Sequence, residues 1–262
     1  MSPVRRISEA LREMRWAQVV LELALLIVGI LVALAVDGWI DDRRDARLER
    51  EYLGRLERDL GQNLEILLEF VEFEGRQVAD GVMAYRALRG ADATDRETVA
   101  EAISHLTHRR TLRLVRATYE DLLSTGNLGL IRDSALRDTI VKLYEETERT
   151  TTLVDRNNQQ LVDQLFTLPM VDSGLVAPRF GANLPALDAG LRSLEQRIGV
   201  PVDARNDRLW TLAEGSPEWG LLANRILRRT MASNSTGAQA EALRRQVEAA
   251  HDAVVAAIAR TD

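Results

Sequence analysis

Residues 17–36 read AQVVLELALLIVGILVALAV, and this stretch decides the architecture of the chain. It contains one ionisable residue, Glu22. About 20 apolar residues in a helix rise about 30 Å, which matches the hydrocarbon core of a bilayer. Trp16 and Trp39 flank the stretch, where tryptophan rings anchor a span at the lipid–water interface. We therefore predict a transmembrane helix at 17–36, and the sequence contains no second apolar run of this length.

A cleaved signal peptide is the alternative interpretation of the same stretch. Four arginines precede it, and Ala33-Leu34-Ala35 resembles a small-x-small cleavage site. The apolar run is longer than the roughly 7 to 15 residues of a signal-peptide core, and it is followed by an anchoring tryptophan. These two features favour a retained anchor.

Residues 1–16 form a short basic segment ahead of the span. The arginines before and after the span nearly balance, but a short basic N-terminus followed by a large C-terminal part favours a cytoplasmic N-terminus. In a bacterium this orientation predicts an inner-membrane protein with residues 37–262 in the periplasm. Apolar residues recur at helical spacing from Val4 to Met14, which predicts either an interfacial helix or a helical extension of the span.

One face of the predicted span combines a charge with small residues. Helical periodicity places Glu22, Gly29, Ala33 and Val36 on that face. An ionisable group within a bilayer costs a few kcal/mol, and the Gly29-x-x-x-Ala33 pair allows another helix to approach closely. We predict that these four residues form a transmembrane helix contact. The alternative is that Glu22 extends its carboxylate to the nearby interface.

The rest of the chain is predicted to be an all-α extrinsic helical bundle. Residues 4–168 contain no proline, and apolar residues recur at helical spacing from the membrane to about Leu88. We expect the apolar stripe to include Val78, Val82 and Tyr85. Glycines in this stretch, among them Gly81, predict a bend or a break.

Capping signals divide the remainder of the predicted bundle, residues 37–168. Thr94 with Glu97 forms a capping box for a helix to about His108. A short helix is predicted to begin at Thr118 and end at Gly126. Asp133 is predicted to cap a long helix to Leu168, with an apolar stripe that includes Leu161, Leu165 and Leu168. Thr147, Thr151 and Asn158 also fall on that stripe, so its middle part is predicted either to be less buried or to form a polar ligand groove.

The C-terminal third of the chain differs in composition and predicted structure. Residues 169–235 are predicted to be an irregular Pro/Gly-rich insertion with short helices at Leu187–Ile198 and Glu218–Met231, and with a loop at Ser233–Thr236. Residues 236–262 are predicted to form a C-terminal helix that packs within the bundle. Its apolar seam consists of Ala240, Leu243, Val247, Ala250, Val254 and Ala257.

Few residues indicate chemistry. The absence of cysteine excludes thiolate metal sites and cysteine nucleophiles, and the net charge of −6 disfavours nucleic acid as a partner. The sequence contains no phosphate-binding glycine loop and no hydrolase motif, so we expect no catalytic site and no cofactor. His105 and His108 have a spacing compatible with a metal, but they stand next to arginines and are predicted to be surface residues. The arginines Arg109, Arg110, Arg113 and Arg116 form a candidate patch for an anion or a partner, or an ion-paired helix face.

Three stretches resemble a bacterial family of uncharacterised single-pass membrane proteins. They are ELALLIVGILVALAVDGW at 22–39, the segment from Glu51 to Leu60, and the segment from Tyr119 to Ile131 with its core STGNL at 124–128. The resemblance covers about residues 16–168. It implies a membrane-anchored helical architecture, and it implies no activity, cofactor or site residue.

These observations predict a non-enzymatic membrane protein whose function lies in its contacts. We expect an accessory or scaffolding subunit that stabilises a larger inner-membrane complex, of a respiratory, transport or light-harvesting kind. Its partners would be the lipid bilayer and other integral membrane subunits, or a second copy of the chain. The alternative is an extracytoplasmic sensory module that binds a small ligand and signals through a separate partner. A hydrolase would require a catalytic cluster that the sequence does not indicate.

Overall fold

The computed structural model describes residues 3–91, 94–175, 193, 196, 197, 199 and 207–261, and within these residues the chain is helical without a strand. This confirms the all-α prediction. The elements are α1 (Pro3–Leu88), α2 (Arg96–His105), α3 (Ala117–Ser124), a 3₁₀ turn (Asn127–Leu130), α4 (Ser134–Asn157), a π-helical segment (Asn158–Thr167), α5 (Leu168–Asp172), α6 (Asp207–Thr211) and α7 (Pro217–Thr261).

Helix α1 is a single rod of 86 residues, about 129 Å long at 1.5 Å per residue. It ends at Leu88 as predicted. Its backbone continues from Pro3 into the apolar stretch, which agrees with a helical extension of the span rather than a separate interfacial helix. The predicted break at a glycine does not occur. Gly81 instead faces α7, where Thr230 occupies the space that a side chain would need.

The extrinsic part consists of four long segments that run in alternating directions. Helix α1 rises from the apolar stretch, and a crossover of residues 106–116 returns along it. Helix α4 rises again and packs against α7. Helix α7 runs antiparallel to α1, since Gly61 lies next to His251 and Gly81 lies next to Thr230. The result is an up-down-up-down bundle in which an extended segment replaces most of one helix.

The local capping predictions are largely confirmed. Gly126 has a φ of +73° just beyond α3, and the Asp133 carboxylate accepts hydrogen bonds from the backbone of Ala135 and Leu136 at the start of α4. The N-cap of α2 is Asp95 rather than Thr94, since the Asp95 carboxylate accepts from Thr98 N at 2.9 Å.

The π-helical segment changes which side chains are buried. A regular helix would bury Leu161, Leu165 and Leu168, but the wider i→i+5 turns rotate the inward face by one position. Val162, Phe166 and Met170 therefore fill the core, while Leu165 and Leu168 are exposed. The helix also continues past the predicted end at Leu168 to Asp172.

The prediction of a loop at Ser233–Thr236 is wrong, because α7 continues through these residues without interruption. The boundary between residues 169–235 and 236–262 therefore does not exist, and the predicted helix at Glu218–Met231 is the first part of α7. Ser233 and Thr236 are buried, and small polar side chains let α7 approach its neighbours closely. Most of the predicted helix at Leu187–Ile198 lies outside the described residues, as does much of the predicted Pro/Gly-rich insertion.

Two apolar clusters form the core, one at the end of the bundle next to the apolar stretch of α1 and one at the opposite, distal end. The predicted seam of α7 is buried in the first cluster, which confirms that this helix packs within the chain. The second cluster lies between the ends of α1, α2, α5 and α7. Between the clusters the inward face of α1 carries Glu74, Gln77 and Gly81. The predicted stripe is wrong here, since Val82 is exposed and Val78 is only half-buried.

Candidate functional site

The face predicted to contact another transmembrane helix is exposed and packs against no other part of the described chain. Glu22, Gly29, Ala33 and Val36 are all exposed, and a Cβ added at Gly29 would have no neighbour within 4 Å. Within the described residues this is the one helical region long and apolar enough to cross a membrane, and none of its most apolar window is buried. Every side of the stretch is therefore free to contact lipid or another protein.

The two predicted interfacial anchors lie at the ends of the bare stretch. Trp16 and Trp39 are both more than half exposed, and 23 residues of helix separate them by about 35 Å. This distance matches the hydrocarbon core plus part of each interface. The Arg43 guanidinium lies 4.1 Å from the centre of the Trp39 ring, a cation–π contact at the point where the bundle begins.

The four arginines of the candidate patch lie on the extended crossover and not on a helix face. Each pairs with a carboxylate from a neighbouring helix: Arg109 with Asp163 at 2.9 Å, Arg110 with Glu69, Arg113 with Asp155 at 3.2 Å, and Arg116 with Glu148 at 3.4 Å. Arg116 also lies 3.6 Å from Glu120 on α3. The pairing offsets the positive charge that an anion site would need. The crossover is thereby attached to α1 on one side and to α4 and the π-helical segment on the other.

The buried polar side chains of the long helices hold the backbone of the same crossover. Asn63 on α1 donates to Val115 O at 2.9 Å and accepts from Val115 N at 2.6 Å. Asn158 donates to Arg110 O at 2.9 Å. An extended segment inside a helical bundle has no strand to pair with, so side chains must satisfy its backbone groups.

Arg229 on α7 is the most deeply buried cation among the described residues, with 2% of its surface exposed. Its Nε donates to Leu106 O at 2.9 Å, and its Nη2 donates to His108 O at 3.0 Å and to Gln77 Oε1 at 3.3 Å. Its Nη1 donates to Ser233 Oγ. The guanidinium thus donates hydrogen bonds to the backbone carbonyls that follow α2, where a cation is also favoured by the helix dipole.

Glu74 shares this buried layer with Arg229. The residue is 3% exposed, and its Oε2 is buried without a hydrogen-bond partner among the described residues. Burial raises the pKa of Glu74 above its ordinary value, although a hydrogen bond from Ser233 and the charge of Arg229 lower it in part. Sequence reasoning missed this layer because Glu74, Gln77 and Arg229 are residue types that normally face water.

The polar stretch of α4 is packed rather than open. Thr147 and Asn158 are buried, so the prediction of a less buried middle part is wrong, and Thr151 is half-buried. The Asn158 side chain is hydrogen-bonded to the crossover. The stretch therefore does not form the polar groove that the alternative of a ligand-binding sensory module requires.

His105 is the last residue of α2 and His108 lies in the crossover, with ring centres 6.1 Å apart. His105 is exposed, and its Nδ1 lies 3.2 Å from Asp80 Oδ2. Within the described part of the chain, no group of three or more acidic or histidine side chains is arranged to hold a metal ion.

Comparison with protein-family models, curated proteins and solved structures finds no significant match to this chain.

Proposed function

We propose that this protein is a non-enzymatic, single-span membrane protein that acts as an accessory or scaffolding subunit of a larger inner-membrane assembly. The observation that carries the proposal is the bare N-terminal part of α1, which presents Glu22, Gly29 and Ala33 on one side of an otherwise apolar helix. A respiratory, transport or light-harvesting complex would be a suitable host.

The energetics of the span support a protein contact on that side. A carboxylate facing lipid costs a few kcal/mol, and a partner helix that hydrogen-bonds it reduces this cost. Gly29 and Ala33 lie one turn apart and allow the backbone of a partner to approach closely, which increases van der Waals packing. The partner is another integral membrane subunit or a second copy of the chain.

The arrangement of the bundle supports the scaffolding role. The segments singled out as candidate chemistry, the arginines of the crossover and the polar stretch of α4, are occupied by bonds within the chain. We place the N-terminus in the cytoplasm and the bundle in the periplasm. In this orientation the bundle extends from the membrane along the continuous helix α1.

Photocrosslinking within the membrane tests the proposal. A photoreactive phenylalanine analogue replaces Ala33 in one variant and Leu31, on the opposite side of the helix, in the other. We expect position 33 to crosslink to a protein and position 31 to crosslink mainly to lipid. If both positions crosslink only to lipid, the proposal is wrong.

A further inference from the structure

A groove at the distal end of the bundle is not explained by the packing of the chain. It lies between the π-helical segment with α5 on one side and α7 on the other, and its volume is about 830 Å³. We call it the distal groove. One wall contains Leu161, Leu165 and Pro169, and the other contains Leu221, Leu227 and Met231.

The walls of the distal groove expose side chains that helical proteins normally bury. Leu165 is 45% exposed, Leu221 is 57% exposed and Met231 is 63% exposed. The π-helical segment has rotated Leu161 and Leu165 out of the core and toward α7. Covering the apolar area of such side chains is favourable. Two apolar helix ridges side by side therefore indicate a position for a further helix.

The charge of the distal groove is opposite to that of the chain. Arg225 and Arg228 line it, and no acidic side chain does so among the described lining residues. Within the described part of the chain, neither guanidinium has a carboxylate within ion-pair distance, although the whole protein has a net charge of −6. An acidic occupant would complement these two cations.

The geometry favours a helix over a small anion or a second copy. Arg229 at the base of the groove already donates to Leu106, His108, Gln77 and Ser233, so its guanidinium does not receive a ligand. A symmetric pairing of two copies would bring like charges of Arg225 and Arg228 together. The wall of α7 from Leu221 to Ser235 is about 21 Å long, which fits a helix of about four turns.

We infer that the distal groove binds an acidic amphipathic helix of a partner protein. Measured along α1 from Trp39 to Gly81, the groove lies about 63 Å beyond the membrane interface, so the partner segment is extrinsic to the bilayer. The inference rests on the proposed scaffolding role for the existence of a partner. It concerns a second surface that is separate from the span.

Photocrosslinking in native membranes tests the inference. The photoreactive phenylalanine analogue replaces Met231 in one variant and Leu221 in another, and the crosslinked peptide is sequenced by mass spectrometry. We expect a peptide from another protein, with apolar residues at helical spacing and flanking Asp or Glu. A crosslink to a second copy, to residues 176–206 of the same chain or to lipid would overturn the inference, and so would the absence of a crosslink.

A charge reversal provides the matched control. Arg228→Glu places a like charge against an acidic helix, and we expect the crosslink yield at Met231 to fall at least tenfold. Arg58→Glu reverses an exposed arginine on α1, and we expect no change. Equal yields in both variants would contradict an acidic occupant. Crosslinking at Ala33 in the same membranes reports on the span separately, so a failure at the groove is distinguishable from a failure of the proposed function.

Discussion

Gly81 of α1 and Thr230 of α7 are in such close contact that a side chain at Gly81 has no room. A Cβ built on Gly81 would overlap Thr230 Oγ1 and would lie 3.0 Å from Thr230 Cβ and 3.1 Å from its Cγ2. The two longest helices of the bundle therefore pack closely beside the buried layer of Glu74 and Arg229. The glycine that suggested a break in the helix is instead the residue that permits this packing.

Gly81→Ala is expected to destabilise the bundle. Overpacking costs about 1–3 kcal/mol, which exceeds the gain of up to about 1 kcal/mol in helix propensity. Gly54→Ala is the matched control, because a Cβ there meets nothing within 4 Å, and it is expected to stabilise the protein by about 0.5–1 kcal/mol. Chemical denaturation measures both changes. Similar effects of the two variants would contradict the close contact.

Arg229→Lys is expected to lower the free energy of unfolding by about 3 kcal/mol. A lysine lacks the planar fork that reaches Leu106 O, His108 O and Gln77 together, so buried acceptors lose their donors. Arg228→Lys, one residue earlier and exposed, is expected to change stability by less than about 0.5 kcal/mol. Hydrogen exchange provides a second readout, and it should show faster opening of α2 and the crossover in the Arg229 variant alone.

Glu74 is expected to make stability depend on pH. Because burial raises its pKa in the folded state, the folded protein binds this proton more tightly than the unfolded chain does. The contribution of Glu74 to the free energy of unfolding is therefore largest below its ordinary pKa of 4.5, and it is lost as the pH rises through the raised pKa. The free energy of unfolding of the wild type, relative to that of Glu74→Gln, should therefore decrease as the pH rises through this range. Glu65→Gln, which removes an exposed carboxylate from the same helix, is the matched control for the substitution itself.

The features of the fold that depend on neighbouring residues were predictable from the sequence. The cap at Asp133 and the helix end at Gly126 were placed correctly, because capping is decided within a few residues. The seam of α7 followed from apolar periodicity in the same way.

The features that depend on distant contacts were not predictable. Ser233 and Thr236 look like a loop locally, but close packing against other helices makes them part of α7. The wider turns of the π-helical segment leave no periodic signal in the sequence, so apolar spacing predicts a buried Leu165 although this side chain lies on the surface. The partner of Arg113, Asp155, is 42 positions away, and no local pattern links the two.

The proposed orientation predicts which residues reagents reach in intact cells. The chain contains no cysteine, so Ser124→Cys on the exposed end of α3 introduces a single thiol. We expect a maleimide that crosses the outer membrane but not the inner membrane to label this thiol in intact cells. Ser2→Cys should react only after the inner membrane is opened. The reverse pattern would place the bundle in the cytoplasm.

The most direct test of the scaffolding role is the mass of the particle that contains the protein after gentle solubilisation of native membranes. The role predicts that the 29.3 kDa chain migrates within a larger assembly. Gly29→Leu with Ala33→Leu should release it, while Ala35→Leu with Gly38→Leu on the opposite side of α1 should not. A wild-type protein that migrates as a lone monomer, with no co-purifying subunit, would contradict the role.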